Sequence, residues 1–375
     1  MSRFVDLLST PARSVAGNAG NHVPDFAAPQ NPPGTRLIRL DSNENPFGPS
    51  PHAIAAVHSV AATMHVYPDD DCIALRRKLA DLHEVQPEQI LISTGSSGVL
   101  SLLCQTLLGP GLNAVTSALS FIVYGMLVRS VGASLIETPM QNDGFDLDAI
   151  LRAINADTRI VFLANPNNPT GTMLEAGAIE KFLNELPPHV VVVLDEAYYE
   201  FASHFAALRK LEYSRALDYV GREERVVVLR TFSKAHGLAG LRIGYGLGPA
   251  ELIGYCARMA NTYSVSSVAQ AAALAALDDP SHIERAVSNN TAQAQILFDE
   301  LSNLGYRTVS TAANFIYFDA GEDASNFASR LREEGVAVRP LNAWGAPNGI
   351  RVTIGTPEQN QMFLQTMKRV SRDQP

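Results

Sequence analysis

The segment RTFSKAHGLAGLR, residues 230–242, sets one lysine between a serine and a histidine, directly after the apolar run Val226 to Leu229. Lys78, Lys181, Lys210 and Lys368, the other lysines of the chain, fall in amphipathic helical patterns such as ALRRKLADL and IEKFLNEL, where a solvated charge accounts for them. Lys234 alone follows an apolar strand pattern and precedes a Gly-rich stretch. An amine held there near Arg242 would lose its proton more readily, because burial and a like charge both disfavour the ammonium form. Such an amine is a nucleophile toward carbonyls and can form a Schiff base.

Other reactive residues gather where apolar runs end. Asp195 closes VVVVLD, so its carboxylate would be partly buried and would need a cationic partner such as a pyridinium, or else it caps the helix that begins EAYYEF. ILISTGSSGVL reads as strand, Gly-rich turn and helix, which would aim the free N–H groups of Ser96, Ser97 and Gly98 at an anion; an ordinary tight turn is the other reading. ANPNNPTG is a proline-pinned turn that fixes Asn168 beside the same sheet edge. Common nucleotide signatures fail: Pro249 in GYGLGP stands where G-x-G-x-x-G requires its last glycine, and no G-x-x-x-x-G-K-[ST] occurs. The histidines include no H-E-x-x-H, and Cys72, Cys104 and Cys256 form no C-x-x-C pair, which argues against metal chemistry and for reduced, buried thiols.

Short β-branched runs alternate with amphipathic stretches from TRLIRLDSNENP onward, which predicts a largely parallel sheet with helices on both faces. Open α/β sheets bind ligands outside the carboxyl ends of their strands, where Asp195, Asn168, Ser96 and Lys234 all fall. The pattern divides into an extended N-terminal arm over 1–36, a large domain over 37–275 and a smaller α+β domain over 276–375. A net charge of −9 excludes a general nucleic-acid or anionic-membrane surface, so any anionic ligand must meet locally placed cations. The first residues lack a secretory apolar stretch, and no segment approaches the ~20 apolar residues that span a bilayer, so the expected location is cytoplasmic.

In this order the pieces resemble the fold-type I pyridoxal-phosphate aminotransferases, and most of all the histidinol-phosphate aminotransferase family. The carriers, from Leu37 to Asn360, are LDSNENPFGPSP, VYPDDDCIALRRKLA, GSSGVL, LSFIVYGM, NPNNPTG, LDEAYYEF, TFSKAHGLAGLRIGY, VRPLNAWGAP and IRVTIGTPEQN. The resemblance implies an α/β fold: a large domain with a mostly parallel seven-stranded sheet flanked by helices, plus a smaller α+β domain. It implies pyridoxal 5'-phosphate bound to Lys234, with Asp195 on the pyridine nitrogen, Asn168 and Tyr198 on the phenolic oxygen, and Phe121 on the ring face. Ser96, Ser97, Ser233 and Arg242 would hold the phosphate, with Tyr67 reaching it from the second subunit of a homodimer. Arg351 would bind a substrate anion, Arg339 a substrate phosphate, and Tyr263 would line the pocket across the dimer.

The implied reaction is transamination of histidinol phosphate with a 2-oxo acid such as 2-oxoglutarate, giving imidazole acetol phosphate and glutamate, a step of histidine biosynthesis. Lys234 would be general base and general acid in turn. Four positions depart from the common family pattern: Ser97 and Gly98 where an acidic pair is frequent, Trp344 for a tyrosine, and Phe121 for another. They leave open an aromatic or other amino-acid donor, and a decarboxylase of the threonine-phosphate type. A cofactor-sensing regulator would need a DNA-binding domain, and residues 1–36 are too short to supply one. His236 reads as a packing residue.

Overall fold

The computed structural model describes residues 9–12, 37–222 and 225–371; apart from 9–12, the expected arm over 1–36 lies outside the described residues. A seven-stranded sheet forms the centre. Across it run Ile90–Ser93, Gly244–Leu247, Val226–Thr231, Val191–Asp195, Thr158–Ala164, Asn113–Ser117 and Ser134–Thr138. Gly244–Leu247 is antiparallel to both neighbours and every other pairing is parallel. The Val-rich runs are nearly continuous in apolar residues because helices cover both faces, so strand residues have no solvent side. Val226–Thr231 is buried at every position.

Parallel registry brings the chemically active residues to one edge. Ala164 pairs with Asp195 and Asp195 with Leu229, so the carboxyl ends of three adjacent strands are level. Gly244, opposite Thr231 on one side and Ser93 on the other, starts at the same edge. A side chain at Gly244 would place its Cβ 2.6 Å from the Ser96 nitrogen and 2.9 Å from the Arg230 oxygen, so only glycine lets this strand pass beneath the helix Ser96–Leu107.

A second, four-stranded antiparallel sheet orders Arg307–Val309, Phe315–Asp319, Gly349–Thr353 and Arg339–Pro340. The 24-residue helix Pro280–Asn303, capped by Asp279, leads into it. Its core joins Ile316, Phe318, Phe327, Leu331, Ile350, Val352 and Phe363, together with Ile38, Leu40 and Phe205. Ile38–Arg39 pairs in parallel with Val336–Ala337, so this segment packs with the C-terminal sheet rather than with the large one. The residues that follow, 41–45, then cross between the two sheets.

Cys72, Cys104 and Cys256 are free and buried. Among the described residues no helix is long and apolar enough to cross a membrane.

Candidate active site

Lys234 follows Val226–Thr231 by three residues and turns into the cavity above the sheet edge, where its amine donates to the backbone oxygens of Ser42 and Asn43, each at 3.2 Å. Burial first, and then the Arg351 charge, bring its pKa down from 10.5 to about 7 while Glu44 opposes. The amine is therefore divided between its charged and neutral forms near neutral pH.

Asp195 ends its strand 4% exposed. Its Oδ2 accepts from Tyr124 Oη at 3.0 Å, and its Oδ1 is buried without a partner among the described residues. Burial raises its pKa to about 6, against the Tyr124 hydrogen bond that lowers it. A buried carboxylate oxygen lacking a donor is costly, and a cationic N–H ligand would relieve it. Tyr124 itself stacks on Phe162 and meets Phe121 edge-on at 5.5 Å, which fixes the phenylalanine on the cavity wall.

Two more groups point to the same space. Tyr198 Oη accepts from Asn43 Nδ2 at 2.9 Å, leaving its own proton available. Asn168 Oδ1 accepts from Arg351 Nη1 at 2.6 Å, which orients the amide so that its NH2 is free to donate elsewhere.

An anion cradle lies beside the lysine. Gly95, with φ of +81°, precedes the helix Ser96–Leu107, whose first N–H groups have no intrahelical acceptor. Arg242 donates to Ser233 Oγ at 3.3 Å, and a Cβ on Gly95 would fall 2.8 Å from Arg242 Nη2. Ser233 is fixed in turn by Thr231 Oγ1, which donates to its hydroxyl at 3.0 Å and accepts from its N–H at 3.1 Å. Helix N-terminus, hydroxyls and guanidinium thus converge on one part of the cavity wall beside Lys234.

Arg351 is 5% exposed, with its pKa brought down to about 10 by burial. Its Nη2 donates to the Asp41 oxygen at 3.0 Å, and its Nε is buried without a partner among the described residues. Arg339, more open, donates from Nε to the same Asp41 oxygen at 3.2 Å. The pairing of Arg339 with Arg351 across the small sheet places both guanidinium groups on one side of the cavity.

The cavity measures about 350 Å³, room for a small aromatic cofactor and part of a substrate, and Lys234, Ser96, Ser97, Phe121, Asn168, Asp195, Tyr198, Ser233, Arg242, Arg339 and Arg351 all line it, with Trp344. Tyr67 and Tyr263 do not line it. They stack on each other at 4.5 Å between ring centroids and are 78% and 46% exposed. His236 does more than pack: its Nε2 lies 3.6 Å from Glu200 Oε1 as its ring tilts against Phe232. Sequence reasoning did not single out Asp41, Ser42, Asn43, Tyr124 or Thr231. The dense polar run LDSNENP was the available signal for the first three, and the place of Tyr124 three residues after Phe121, in the first turn of the helix Val123–Ser130, was the signal for Tyr124.

A family model described as aminotransferase class I and II matches residues 35–367. The chain is 42% identical to histidinol-phosphate aminotransferase 2 of Pseudomonas aeruginosa over 334 residues, 89% of each chain. It is 37% identical to histidinol-phosphate aminotransferase of Rhodopseudomonas palustris, covering 91% of this chain and 93% of the relative. Among solved structures it superposes on histidinol-phosphate aminotransferase from Sinorhizobium meliloti in complex with pyridoxal-5'-phosphate, with a TM-score of 0.83, 29% identity, and coverage of 90% and 91%. An aspartate aminotransferase mutant of Thermus thermophilus matches with a TM-score of 0.80, 25% identity and coverage of 90% and 97%.

Proposed function

The chain belongs to the class I and II aminotransferases, and we propose from that footing that it moves the amino group of histidinol phosphate to 2-oxoglutarate with pyridoxal 5'-phosphate as cofactor. The observation that carries this reading is one cavity in which a desolvated lysine, a buried carboxylate with an unpaired oxygen, an anion cradle and two arginines meet.

Those residues fit the cofactor on physical grounds. The unpaired Asp195 Oδ1 would accept from the ring N–H, and the free donors of Tyr198 and Asn168 would reach the phenolic oxygen. Phe121 would cover one ring face. The cradle of Ser96, Ser97, Ser233 and Arg242 would take the phosphate. Bound there, pyridoxal phosphate supplies a carbonyl that exchanges amines and an electron sink for a substrate carbanion.

Lys234 does the proton work. With its pKa at about 7, Nζ is unprotonated often enough to attack a carbonyl and to take a proton from the donor Cα, then return it as an acid. Arg339 would pair with the donor phosphate and Arg351 with a carboxylate of the 2-oxo acid, jobs that suit a forked guanidinium. Tyr67 and Tyr263, exposed and outside their own cavity, support a homodimer in which each pair completes the partner's site. The expected location remains the cytoplasm.

Replacing Arg339 by alanine tests the substrate assignment. The variant should weaken histidinol phosphate at least about ten-fold more than unphosphorylated histidinol, since a charge-assisted pair is lost for one donor alone. Equal losses for both donors would contradict the assignment.

A further inference from the structure

Asp41 sits where the two substrate-side arginines meet. Its backbone oxygen accepts from Arg339 Nε at 3.2 Å and from Arg351 Nη2 at 3.0 Å. Its carboxylate lies between two other approaches: Oδ2 is 4.0 Å from Arg339 Nη2, and Oδ1 is 3.6 Å from Arg39 Nε. The Asp41 side chain is 17% exposed, against 37% for Arg339 and 61% for Arg39. Ser42 Oγ also donates to Oδ1, at 3.3 Å. A shielded carboxylate therefore stands behind the cavity wall, between a cation that faces the cavity and one that faces solvent. Asp41 is not itself among the lining residues.

A transaminase must pass two different anions through one cavity. A phosphate ester carries close to two negative charges at neutral pH, whereas a carboxylate carries one. The charge of the two arginines alone favours the dianion strongly, and a nearby carboxylate lowers that preference. We propose that Asp41 is a specificity-determining residue that acts through Arg339: its carboxylate partly neutralises the guanidinium and holds the affinity for phosphorylated ligands down, so that donor and 2-oxo acid exchange in the same site. This rests on the reading of Arg339 and Arg351 as the holders of substrate anions. Asp41 touches no reacting atom and is a positioning residue in that sense.

The test uses the cofactor-loaded enzyme and two donors, histidinol phosphate and histidinol, each added without 2-oxo acid while the visible cofactor absorbance is followed. Asp41→Asn keeps the backbone oxygen and the shape while removing the charge. It should tighten the apparent dissociation constant for histidinol phosphate roughly three- to ten-fold and leave that for histidinol unchanged, with the gain fading as ionic strength rises from about 0.02 to about 0.3 M. Arg39→Ala, which frees Asp41 to turn toward Arg339, should shift the phosphorylated donor in the opposite direction. An Asp41→Asn enzyme whose ratio of the two constants matches the wild type, or whose change is insensitive to salt, would overturn the proposal. Arg339→Ala distinguishes the two levels: if it weakens both donors equally, the substrate-arginine reading itself fails and takes this one with it, whereas selective weakening beside an inert Asp41→Asn removes Asp41 alone.

Discussion

Lys234 could be identified among five lysines because it alone broke the rule that lysines lie on solvated helix faces. Its pKa of about 7 could not be read in the same way, since it arises from burial and from Arg351, 117 positions away by numbering. The consequence is measurable in cofactor-free protein: the rate at which added pyridoxal phosphate is captured should rise with pH around a midpoint near 7, and a midpoint near 10 would mean that the amine is not desolvated. Lys234→Ala should show no lysine-bound cofactor absorbance at any pH. Asp195 shows a trade-off between stability and binding. Its folded pKa of about 6 lies above the ordinary 3.8, so the folded chain binds the extra proton between those values and stability falls as pH rises through that window. At about pH 8 the charge is fully present and unpaired on one side, so Asp195→Asn should stabilise the cofactor-free protein by on the order of 1–3 kcal/mol while weakening cofactor capture. Thermal melts with and without cofactor check both signs, and destabilisation of the cofactor-free form would count against an unpaired carboxylate. The pairings of Tyr124 with Asp195 and of Asn43 with Tyr198 were not legible because the partners lie 71 and 155 residues apart.

At the scale of elements, the alternation of β-branched runs with amphipathic stretches was enough to give a mostly parallel sheet, since burial on both faces leaves a continuous apolar signature. Two features were not local enough to be read. Gly244–Leu247 runs antiparallel because the chain returns beside Val226–Thr231 after the loop that carries Lys234, and nothing in GYGL marks that direction. Ile38–Arg39 pairs with Val336–Ala337, a contact between segments at opposite ends of the sequence. The strap over 41–45 that follows ties Lys234 to the small sheet: the Asn43 oxygen accepts from Lys234 and from Asn314, and Asn43 N–H donates to Thr353 Oγ1 at 2.8 Å. The turn before Ser96–Leu107 was legible as strand, Gly-rich turn and helix, but its closeness to Arg242 appears only in space. Gly95→Ala should cost about 1–2 kcal/mol from its positive φ and weaken cofactor retention by displacing Arg242. Equilibrium dialysis against pyridoxal phosphate measures the second effect, and unchanged retention would remove the Gly95 turn from the cradle.

For the whole molecule, two cores meet at the cavity: one around the seven-stranded sheet, the other around the small sheet with Ile38 and Leu40. Arg339 and Arg351 come from the small sheet and Lys234 follows a strand of the large one, so the three meet only in the assembled fold. In the proposed homodimer, Tyr67 and Tyr263 would extend this logic to a second copy of the chain. If each completes the partner's cavity, mixing Lys234→Ala subunits with Tyr67→Phe subunits should restore activity in hybrid dimers beyond that of either parent, and absence of any recovery after confirmed subunit exchange would argue for self-contained sites. The central claim is a phosphate-bearing amino donor acting on lysine-bound pyridoxal phosphate. Its most direct measurement is a panel of donors given singly to the loaded enzyme, followed by the visible absorbance and by the product released. Histidinol phosphate should convert the cofactor to its amine form at the lowest donor concentration, one imidazole acetol phosphate appearing per site, and 2-oxoglutarate should then restore the absorbance. Retention of the absorbance with release of carbon dioxide from a phosphorylated amino acid, or a preference for an aromatic amino acid over histidinol phosphate, would contradict it.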